Sequence, residues 1–491
     1  MNTYLNALRW PRSAAMVGAY LLSASVLVGC GGGEDSTTGI VTPPGGEPTP
    51  IVVNSPAQIA QESADDYNDN ENGLITGATL KRWKDDWLNE RPAGITGKLV
   101  ILQVTEGPGG SEYILPDDKN VFTYLSDGNE WIETRSNGVI YTRSMVPSGA
   151  TMDAQLKKYN IDPHKDMIVV AMGTGGTGNA MRQGRVWYAL RYWGVEAEHL
   201  AILNGGNGWL NGNGMTGADF TDTASTPPES GIVSVKSLAA DNTQLQATVQ
   251  DMLAVLPSSD TNVLDDGVFI WDARGMNQYS AGEDDGTGTP VVPFTDTFQN
   301  SGSRQGHPWG ALQLNFTNFL DSTQGYRYKD KAELEAYLNG GATDSGEAFV
   351  DNTYQPVGVG NAYQDGDTVY TYCETTFRAM ITGVTSAVIL GKPTRFYDGA
   401  MVEWSSLSYL LDWSGDYILP IDSPWRTDVV SFYQEQPDPN EVEPRQIDDA
   451  YADNTNAIIL ADKAYKTGSS SSDDGGSSGG GGALPPNPCG G

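Results

Sequence analysis

Residues 368–384 read TVYTYCETTFRAMITGV, in which a strand-like run and a helix-like run lie on either side of a cysteine loop. The first five residues are apolar and β-prone, which predicts a buried strand, and the residues from Phe377 onward predict a helix. Cys373 stands between the two, where backbone N–H groups and the positive end of a helix favour a thiolate over a thiol. The alternative is a buried structural cysteine, and the flanking residues decide between these interpretations.

Apolar strands and helical segments alternate along most of the chain. The first unit begins at the apolar run 98–102, and within it a strand is predicted at 167–172 and a helix at 185–193. This alternation favours an α/β fold with mainly parallel strands. The order strand, loop, helix, strand, glycine turn and tryptophan occurs twice, ending at Trp209 and at Trp404, which indicates a diverged internal repeat.

The second of these units resembles the rhodanese (sulfurtransferase) family in its two-domain form. Four segments carry the resemblance in the family's order: the Asp-Ala-Arg strand at Phe269–Arg274, the Gly-His turn at Gly306–Ala311, the catalytic loop at Cys373–Arg378 and the Tyr-Asp-Gly…Glu-Trp element at Tyr397–Trp404. The Gly-His turn departs from the family pattern because its proline and its bulky residue are exchanged. The first unit matches through 185–193 and 203–209 and has no cysteine at its loop.

The resemblance covers roughly residues 98–410 and implies tandem rhodanese-like domains, each a mainly parallel sheet flanked by helices. Together with the composition of the flanking segments, it leads us to expect six regions, which are a signal peptide (1–29), a flexible tether (30–60), an N-terminal helical extension (61–95), a first domain without a catalytic cysteine (96–228), a catalytic second domain (229–435) and a C-terminal extension with a Gly/Ser tail (436–491).

The spacing from Cys373 to Arg378 matters for the chemistry that the resemblance implies. Six residues curl backbone N–H groups around the sulfur, whereas the related phosphatases need a seventh, and Ala379 occupies that position. The implied reaction is nucleophilic: the Cys373 thiolate takes a sulfane sulfur, becomes a persulfide and passes the outer sulfur to a thiol or cyanide-like acceptor. The implied mechanism needs no cofactor, no metal and no histidine base.

The resemblance also implies which residues surround the substrate. They lie in the loop and in two of the other matching segments, and they are Glu374, Thr375, Thr376, Phe377, Arg378, Asp272, Arg274 and His307. His307 has two interpretations, because a histidine in a Gly-His turn serves either as a catalytic base or as a structural residue.

Thiosulfate-using members of the family surround the cysteine with positive side chains. At the matching places this chain has Glu374, Thr375 and Gln278, so that Arg378 and Arg274 are the local cations. We therefore expect weak use of thiosulfate and better use of a less charged sulfane donor or a protein-bound persulfide. The alternative is that Glu374 points outward and that the loop amides suffice.

Composition excludes several other functions. The chain of 491 residues has 29 Lys+Arg against 62 Asp+Glu, a net charge of −33, which disfavours binding to nucleic acid. Three histidines are too few for a polyhistidine metal centre. Three cysteines are too few for a disulfide framework in a chain of this length, and their spacing matches no metal site.

Two short motifs have alternative interpretations. Gly173–Gly178 reads GTGGTG between a strand and a helix, as in dinucleotide-binding loops, but the next strand ends in Leu203-Asn204 with no acid for a ribose. Glycine-rich loops also simply turn the chain, and the repeat places this one where the first unit lacks its catalytic loop. Asn68–Thr79 begins like a calcium loop, but Thr79 stands where a bidentate Glu is needed, so the alternative is a polar turn at a helix start.

The N-terminus predicts export. Arg9 and Arg12 precede an apolar run at 14–28, and the sequence then reaches Leu-Val-Gly-Cys30, which resembles a bacterial lipobox. The resemblance implies acylation of Cys30 and, since Gly31 follows rather than Asp, sorting to the outer membrane. The alternative is an ordinary signal peptide with an incidental cysteine. The third cysteine, Cys489, lies in the Gly/Ser/Pro tail, either as a reactive thiol or as an incidental one.

Three function classes follow from these observations. The leading one is an exported, lipid-anchored sulfurtransferase of the bacterial envelope, at its periplasmic or surface face, with a sulfane donor and a thiol acceptor as partners. The alternative is a non-catalytic rhodanese-fold scaffold that binds partners in an envelope redox assembly. The third, a nucleotide-binding oxidoreductase, requires that NAD(P) shift the melting temperature.

We expect Cys30→Ala to release most of the protein from membranes, because the substitution removes the thiol that carries the lipid. The measurement is the fraction of protein in the membrane pellet after a salt wash. Cys489→Ala is the matched control and should stay in the pellet. A Cys30→Ala protein that stays there too would show that the anchor lies elsewhere.

Overall fold

Thr368–Tyr372 forms the middle strand of a five-stranded parallel sheet, as its apolar run predicts. A computed structural model of the protein describes residues 50–110, 112–137, 141–280, 306–406 and 456–468. The signal peptide, Cys30 and Cys489 lie outside the described residues. Among the helices within these ranges, none is both long and apolar enough to cross a bilayer.

The described residues contain two five-stranded sheets, and every neighbouring pair of strands in them is parallel. The first sheet consists of β1 Gly73–Ile75, β2 Leu99–Gln103, β3 Val121–Leu125, β4 Met167–Ala171 and β5 Leu200–Leu203. The second sheet consists of β6 Gln246–Ala247, β7 Val268–Asp272, β8 Leu312–Gln313, β9 Thr368–Tyr372 and β10 Thr394–Tyr397. Four short strand pairs lie outside these sheets, namely Val52–Val53 with Ala240–Asp241, Tyr113–Ile114 with Phe220–Thr221, Glu133–Ser136 with Tyr141–Met145, and Leu320–Asp321 with Arg327–Tyr328.

The two sheets have the same strand order. It is β1-β5-β4-β2-β3 in the first sheet and β6-β10-β9-β7-β8 in the second. In both, the fourth strand along the chain lies in the middle, and its residues are almost entirely buried because elements cover both faces. The predicted α/β class with mainly parallel sheets and flanking helices is confirmed, while the boundaries of the two domains stay a prediction.

Twelve helices accompany the sheets in the described part of the chain. They are α1 Pro56–Ile59, α2 Gly77–Asp85, α3 Trp87–Glu90, α4 Gly149–Lys158, α5 Thr177–Tyr192, α6 Asn207–Leu210, α7 Val249–Val255, α8 Met276–Ser280, α9 Lys331–Leu338, α10 Ala379–Val384, α11 Ala400–Ser406 and α12 Ala457–Thr467. The helix predicted at 185–193 is the second half of α5. The helix expected from Phe377 onward begins at Ala379 and continues into a π-helical turn at Thr385–Ile389.

The segment predicted as a helical extension, 61–95, contributes a strand as well as helices. Helix α2 buries Leu80 and Trp83, whereas Leu88 in α3 is exposed. Ahead of α2, strand β1 pairs with β5 at the edge of the first sheet. A strand of three residues is too short to show a period in the sequence.

From Gln183 onward helix α5 is buried on all sides, because it lies between the two sheets. It packs against β4 and β5 of the first sheet, while the ring of Tyr188 meets that of Phe396 in β10 with centroids 4.9 Å apart. Helix α5 also crosses α10 closely at Gly184. A Cβ atom at Gly184 would lie 2.6 Å from Cβ of Met380, so only glycine allows this approach.

We expect Gly184→Ala to lower the free energy of unfolding by about 1–3 kcal/mol, because the added methyl group forces α5 and α10 apart. Gly178→Ala on the same helix is the control: its Cβ would meet only Arg182 Nη1, at 3.7 Å. Alanine there should be neutral or stabilise by up to about 1 kcal/mol. Urea unfolding measures both, and equal stability of the two variants would contradict the close crossing.

Candidate active site

Cys373 lies directly after β9, at the carboxyl end of the middle strand of the second sheet. Its thiol is reduced and fully buried, and it packs with Ala273, Ala379 and the half-buried Phe316. The carbonyl of Cys373 accepts a hydrogen bond of 3.1 Å from the backbone N–H of Met401 in α11. Parallel sheets place their functional residues at this edge, so the position suits a reactive side chain.

The loop from Glu374 to Arg378 connects Cys373 to α10. Thr376 has a left-handed backbone with φ of 61°, and its hydroxyl donates to the carbonyls of Tyr397 at 2.8 Å and Asp398 at 3.2 Å. Within the described part of the chain, the backbone N–H groups of Glu374, Thr376 and Phe377 donate to no carbonyl. Such N–H groups in a tight loop are what an anion-binding turn offers.

Glu374 is directed into the protein. Its carboxylate is buried, with Oε2 lying 3.5 Å from Nη1 of Arg274 and 3.3 Å from Nε2 of Gln278. Gln278 in turn accepts a hydrogen bond of 2.5 Å from Nη1 of Arg378. The alternative that Glu374 points outward is therefore wrong, because the buried arginine draws its carboxylate inward.

Asp272 and Arg274 form a buried pair at the end of β7. The guanidinium donates to both carboxylate oxygens, with Nη2–Oδ2 at 2.6 Å, and also to the carbonyl of Gly306. Tyr372 adds a hydroxyl donor to Asp272 at 2.9 Å. Burial disfavours the charge on Arg274, but Asp272 outweighs it and holds the arginine pKa above its usual value. Arg274 is thus a fixed cation beside Glu374.

His307 is held by partners of its own. Its ring stacks on that of Tyr279 at 3.7 Å; Nδ1 lies 2.7 Å from the Tyr279 carbonyl and Nε2 lies 3.1 Å from Asp260. Burial opposes its charge, but Asp260 raises the histidine pKa above the usual value. Both ring nitrogens are engaged, which favours the structural interpretation of His307 over that of a base.

Sequence reasoning missed the buried charges behind the loop. Arg185 of α5 forms an ion pair of 2.7 Å with Asp398, which follows β10. Glu403 of α11 is also buried, and burial together with the nearby Asp398 raises its pKa to about 7. All three residues lie in segments that carry the family resemblance, but the sequence has no signal that joins Arg185 to a residue in the other unit.

The glycine-rich loop at Gly173–Gly178 packs closely against other backbone in its first half. A Cβ at Gly173 would lie 1.9 Å from the Thr105 carbonyl oxygen, and one at Gly206 would lie 2.3 Å from the backbone nitrogen of Gly175. The N–H of Thr174 already donates to the carbonyl of Glu106 at 2.9 Å. Close packing of backbone accounts for Gly173 and Gly175, which disfavours the dinucleotide interpretation.

Hydrogen bonds within the segment Asn68–Thr79 account for its polar side chains. Asp66 caps the turn at Asn68, and Oδ1 of Asn68 accepts a hydrogen bond of 2.6 Å from Thr76, the residue that caps α2. Across the residues that the structure describes, no group of three or more His, Cys, Asp or Glu side chains is arranged to hold a metal ion. The polar turn at a helix start accounts for this segment.

The chain is similar to several proteins whose structures have been solved. No protein-family model matches the chain, and no curated protein matches it. SseA of Escherichia coli, a 3-mercaptopyruvate sulfotransferase with the rhodanese fold, is similar at 18% identity over 67% of this chain and 98% of its own, with a TM-score of 0.42. The 3-mercaptopyruvate sulfurtransferase of Leishmania major is similar at 14% identity over 70% and 76%, with a TM-score of 0.42. The anaerobic ergothioneine biosynthesis enzyme of Chlorobium limicola is similar at 14% identity over 72% and 71%, with a TM-score of 0.44.

Proposed function

We propose that this protein is a sulfurtransferase that carries sulfane sulfur as a persulfide on Cys373. One observation supports the proposal most: Cys373 ends the middle strand of a parallel sheet and starts a tight loop in which three backbone N–H groups donate to no carbonyl among the described residues. Those N–H groups suit a negatively charged sulfur. The resemblance of this loop to that of the rhodanese family agrees with this use.

The reaction consists of two displacements on sulfur. The Cys373 thiolate attacks the outer sulfur of a sulfane donor; a new S–S bond forms, the donor's bond to that sulfur breaks, and the donor leaves with the electron pair. An acceptor thiolate then attacks the outer sulfur of the persulfide, and Cys373 leaves as the thiolate. Each step exchanges one bond to sulfur for another, so no external oxidant or reductant is required.

The residues around Cys373 have different roles in this proposal. The loop amides stabilise charge on the transferred sulfur, Arg274 offsets the charge of the buried Glu374 beside it, and Asp272 holds Arg274 in place. Phosphatase chemistry is disfavoured, because α10 begins at the residue after Arg378 and leaves a loop of six residues from Cys373 to Arg378. The mechanism uses neither a cofactor nor His307.

A second candidate function is a non-catalytic scaffold that binds partner proteins in an envelope redox assembly. The observation that favours it is the complete burial of Cys373, since a nucleophile has to meet its substrate. The half-buried ring of Phe316 packs against the cluster that contains the thiol. Alkylation of the native protein near neutral pH separates the two functions: a reactive Cys373 supports the enzyme, and an inert one supports the scaffold.

The cellular place of the protein is part of the proposal. It rests on the N-terminal sequence, in which Cys30 would carry lipid and residues 31–50 would form a tether rich in Pro, Gly and Thr. The protein would then work in the bacterial envelope, anchored to the outer membrane. Its donor and acceptor would be small molecules or envelope redox proteins.

We expect Cys373→Ser to abolish persulfide formation while the fold is kept, because serine has nearly the same size but does not form a thiolate at neutral pH. The measurement is mass spectrometry of the peptide around residue 373 after incubation with sulfane donors, where the wild type should gain one sulfur atom. Circular dichroism checks the fold. Substantial sulfur transfer by a folded Cys373→Ser protein would exclude this mechanism.

We expect Glu374→Gln to raise kcat/KM for thiosulfate by about ten- to a hundredfold, since removing a carboxylate beside Arg274 favours a dianion by roughly 1–3 kcal/mol. Asp272→Asn tests a carboxylate on the same arginine, but it should lower activity because it loosens Arg274. A singly charged organic thiosulfonate, which gives up its outer sulfur and leaves as a sulfinate, serves as the reference donor and should gain less from Glu374→Gln than the dianion does. Equal gains for both donors would show that charge at Glu374 does not set the preference.

A further inference from the structure

Arg185 reaches the back of the Cys373 loop from helix α5. Its side chain is completely buried, and Nη2 donates to the carbonyl of Thr375 at 3.1 Å. Its Nη1 lies 2.7 Å from Oδ1 of Asp398, and the guanidinium lies over the ring of Phe377 at 5.3 Å. One planar group therefore joins the loop, the turn after β10 and the helix between the sheets.

Asp398 is itself fixed, so the guanidinium has little freedom. Its other carboxylate oxygen accepts from the backbone N–H of Val146 at 2.6 Å and from Nε2 of Gln246 at 3.2 Å. The hydroxyl of Thr376 ties the next residue of the loop to the carbonyl of Tyr397. Consequently the peptide between Thr375 and Thr376 is held at both of its residues.

Because that peptide is planar, the contact between Arg185 and the Thr375 carbonyl also sets the direction of the Thr376 N–H bond. In a trans peptide the C=O and N–H bonds point in opposite directions. Because the Thr375 carbonyl points to Arg185, the N–H of Thr376 points away from Arg185. A cation on the carbonyl also draws electron density from the peptide, which strengthens the positive end of the N–H dipole.

We propose that Arg185 is a positioning residue that turns the N–H of Thr376 toward the sulfur of Cys373 and thereby stabilises the thiolate and its persulfide. The proposal rests on the proposed sulfur transfer and extends it, since it gives a residue of the first unit a part in chemistry of the second. Arg185 itself does not touch the sulfur in this role; it acts through the peptide between Thr375 and Thr376.

The test compares Arg185→Lys with Arg191→Lys. Arg191 is a matched control, since it lies on the same helix, is buried and donates to two backbone carbonyls, those of Val195 at 2.7 Å and Ile59 at 3.0 Å. Lysine keeps the charge, but it has no planar fork to hold a carboxylate and a carbonyl at fixed angles. The readout is the pH midpoint of alkylation at Cys373, measured by mass spectrometry of its peptide, with thermal unfolding to check the fold.

We expect Arg185→Lys to raise the alkylation midpoint by about half a pH unit to one unit, which means roughly three- to tenfold less thiolate at neutral pH. Arg191→Lys should leave the midpoint unchanged. Arg185→Gln keeps a donor for the Thr375 carbonyl without the charge, and its midpoint should rise at least as far. A folded Arg185→Lys protein with the wild-type midpoint would overturn the proposal, and so would failure of Arg185→Lys to fold while Arg191→Lys folds.

This experiment is separate from the test of sulfur transfer, because alkylation needs no sulfur donor. If the wild type forms no persulfide and the midpoint still rises in Arg185→Lys, the proposed function fails and the positioning role of Arg185 stands. If persulfide forms and the midpoint does not move, the proposed function stands and the positioning role of Arg185 fails. In the active protein, Arg185→Lys should lower kcat for transfer and leave KM for the donor unchanged.

Discussion

The ion pair between Arg185 and Asp398 lies where neither side chain reaches water, and the arrangement of the elements around the candidate site depends on it. Burying two charges costs more than their attraction returns unless further hydrogen bonds complete the site. Further hydrogen bonds complete this site, because Asp398 also accepts from the backbone N–H of Val146 and from the side chain of Gln246. Removing one partner of such a pair typically costs about 3–5 kcal/mol. The pair therefore fixes α5, the turn after β10 and the cysteine loop relative to one another.

Helix α5 carries Arg185 to Asp398 because it lies between two sheets of identical strand order. Its aromatic side chains fill one side, where Trp187 and Tyr188 contact Phe396 of β10, and its glycine at 184 admits α10 on another. From Gln183 onward the helix has no face left for water, so it shows little amphipathic pattern despite its length of 16 residues. The burial of Arg185 is a consequence of the same fit.

The parts of the site that are contiguous in sequence could be predicted, because strand β9, the loop after Cys373 and helix α10 follow one another and each has a local pattern. Strand β1 could not be predicted, since three residues are too few to show an alternation of apolar and polar side chains. The direction of Glu374 could not either, because it is set by Arg274, 100 residues away in the chain. The contact of Arg185 with the loop joins residues 190 apart, and no local pattern reports such a pairing.

The balance of charge beside Cys373 bears on which ligand suits the loop. Two arginines, Arg274 and Arg378, face two carboxylates, Asp272 through a direct pair and Glu374 through Arg274 and Gln278. These side chains neutralise one another, so the positive potential left for a ligand comes from the loop amides. Backbone N–H dipoles bind anions of several kinds, phosphate among them, but each supplies only a fraction of a positive charge. A few such partial charges offset the single negative charge of a thiolate or persulfide sulfur more fully than the two charges of thiosulfate or phosphate, so the charge pattern around Cys373 agrees with a carrier of sulfur more closely than with an enzyme built for oxyanions.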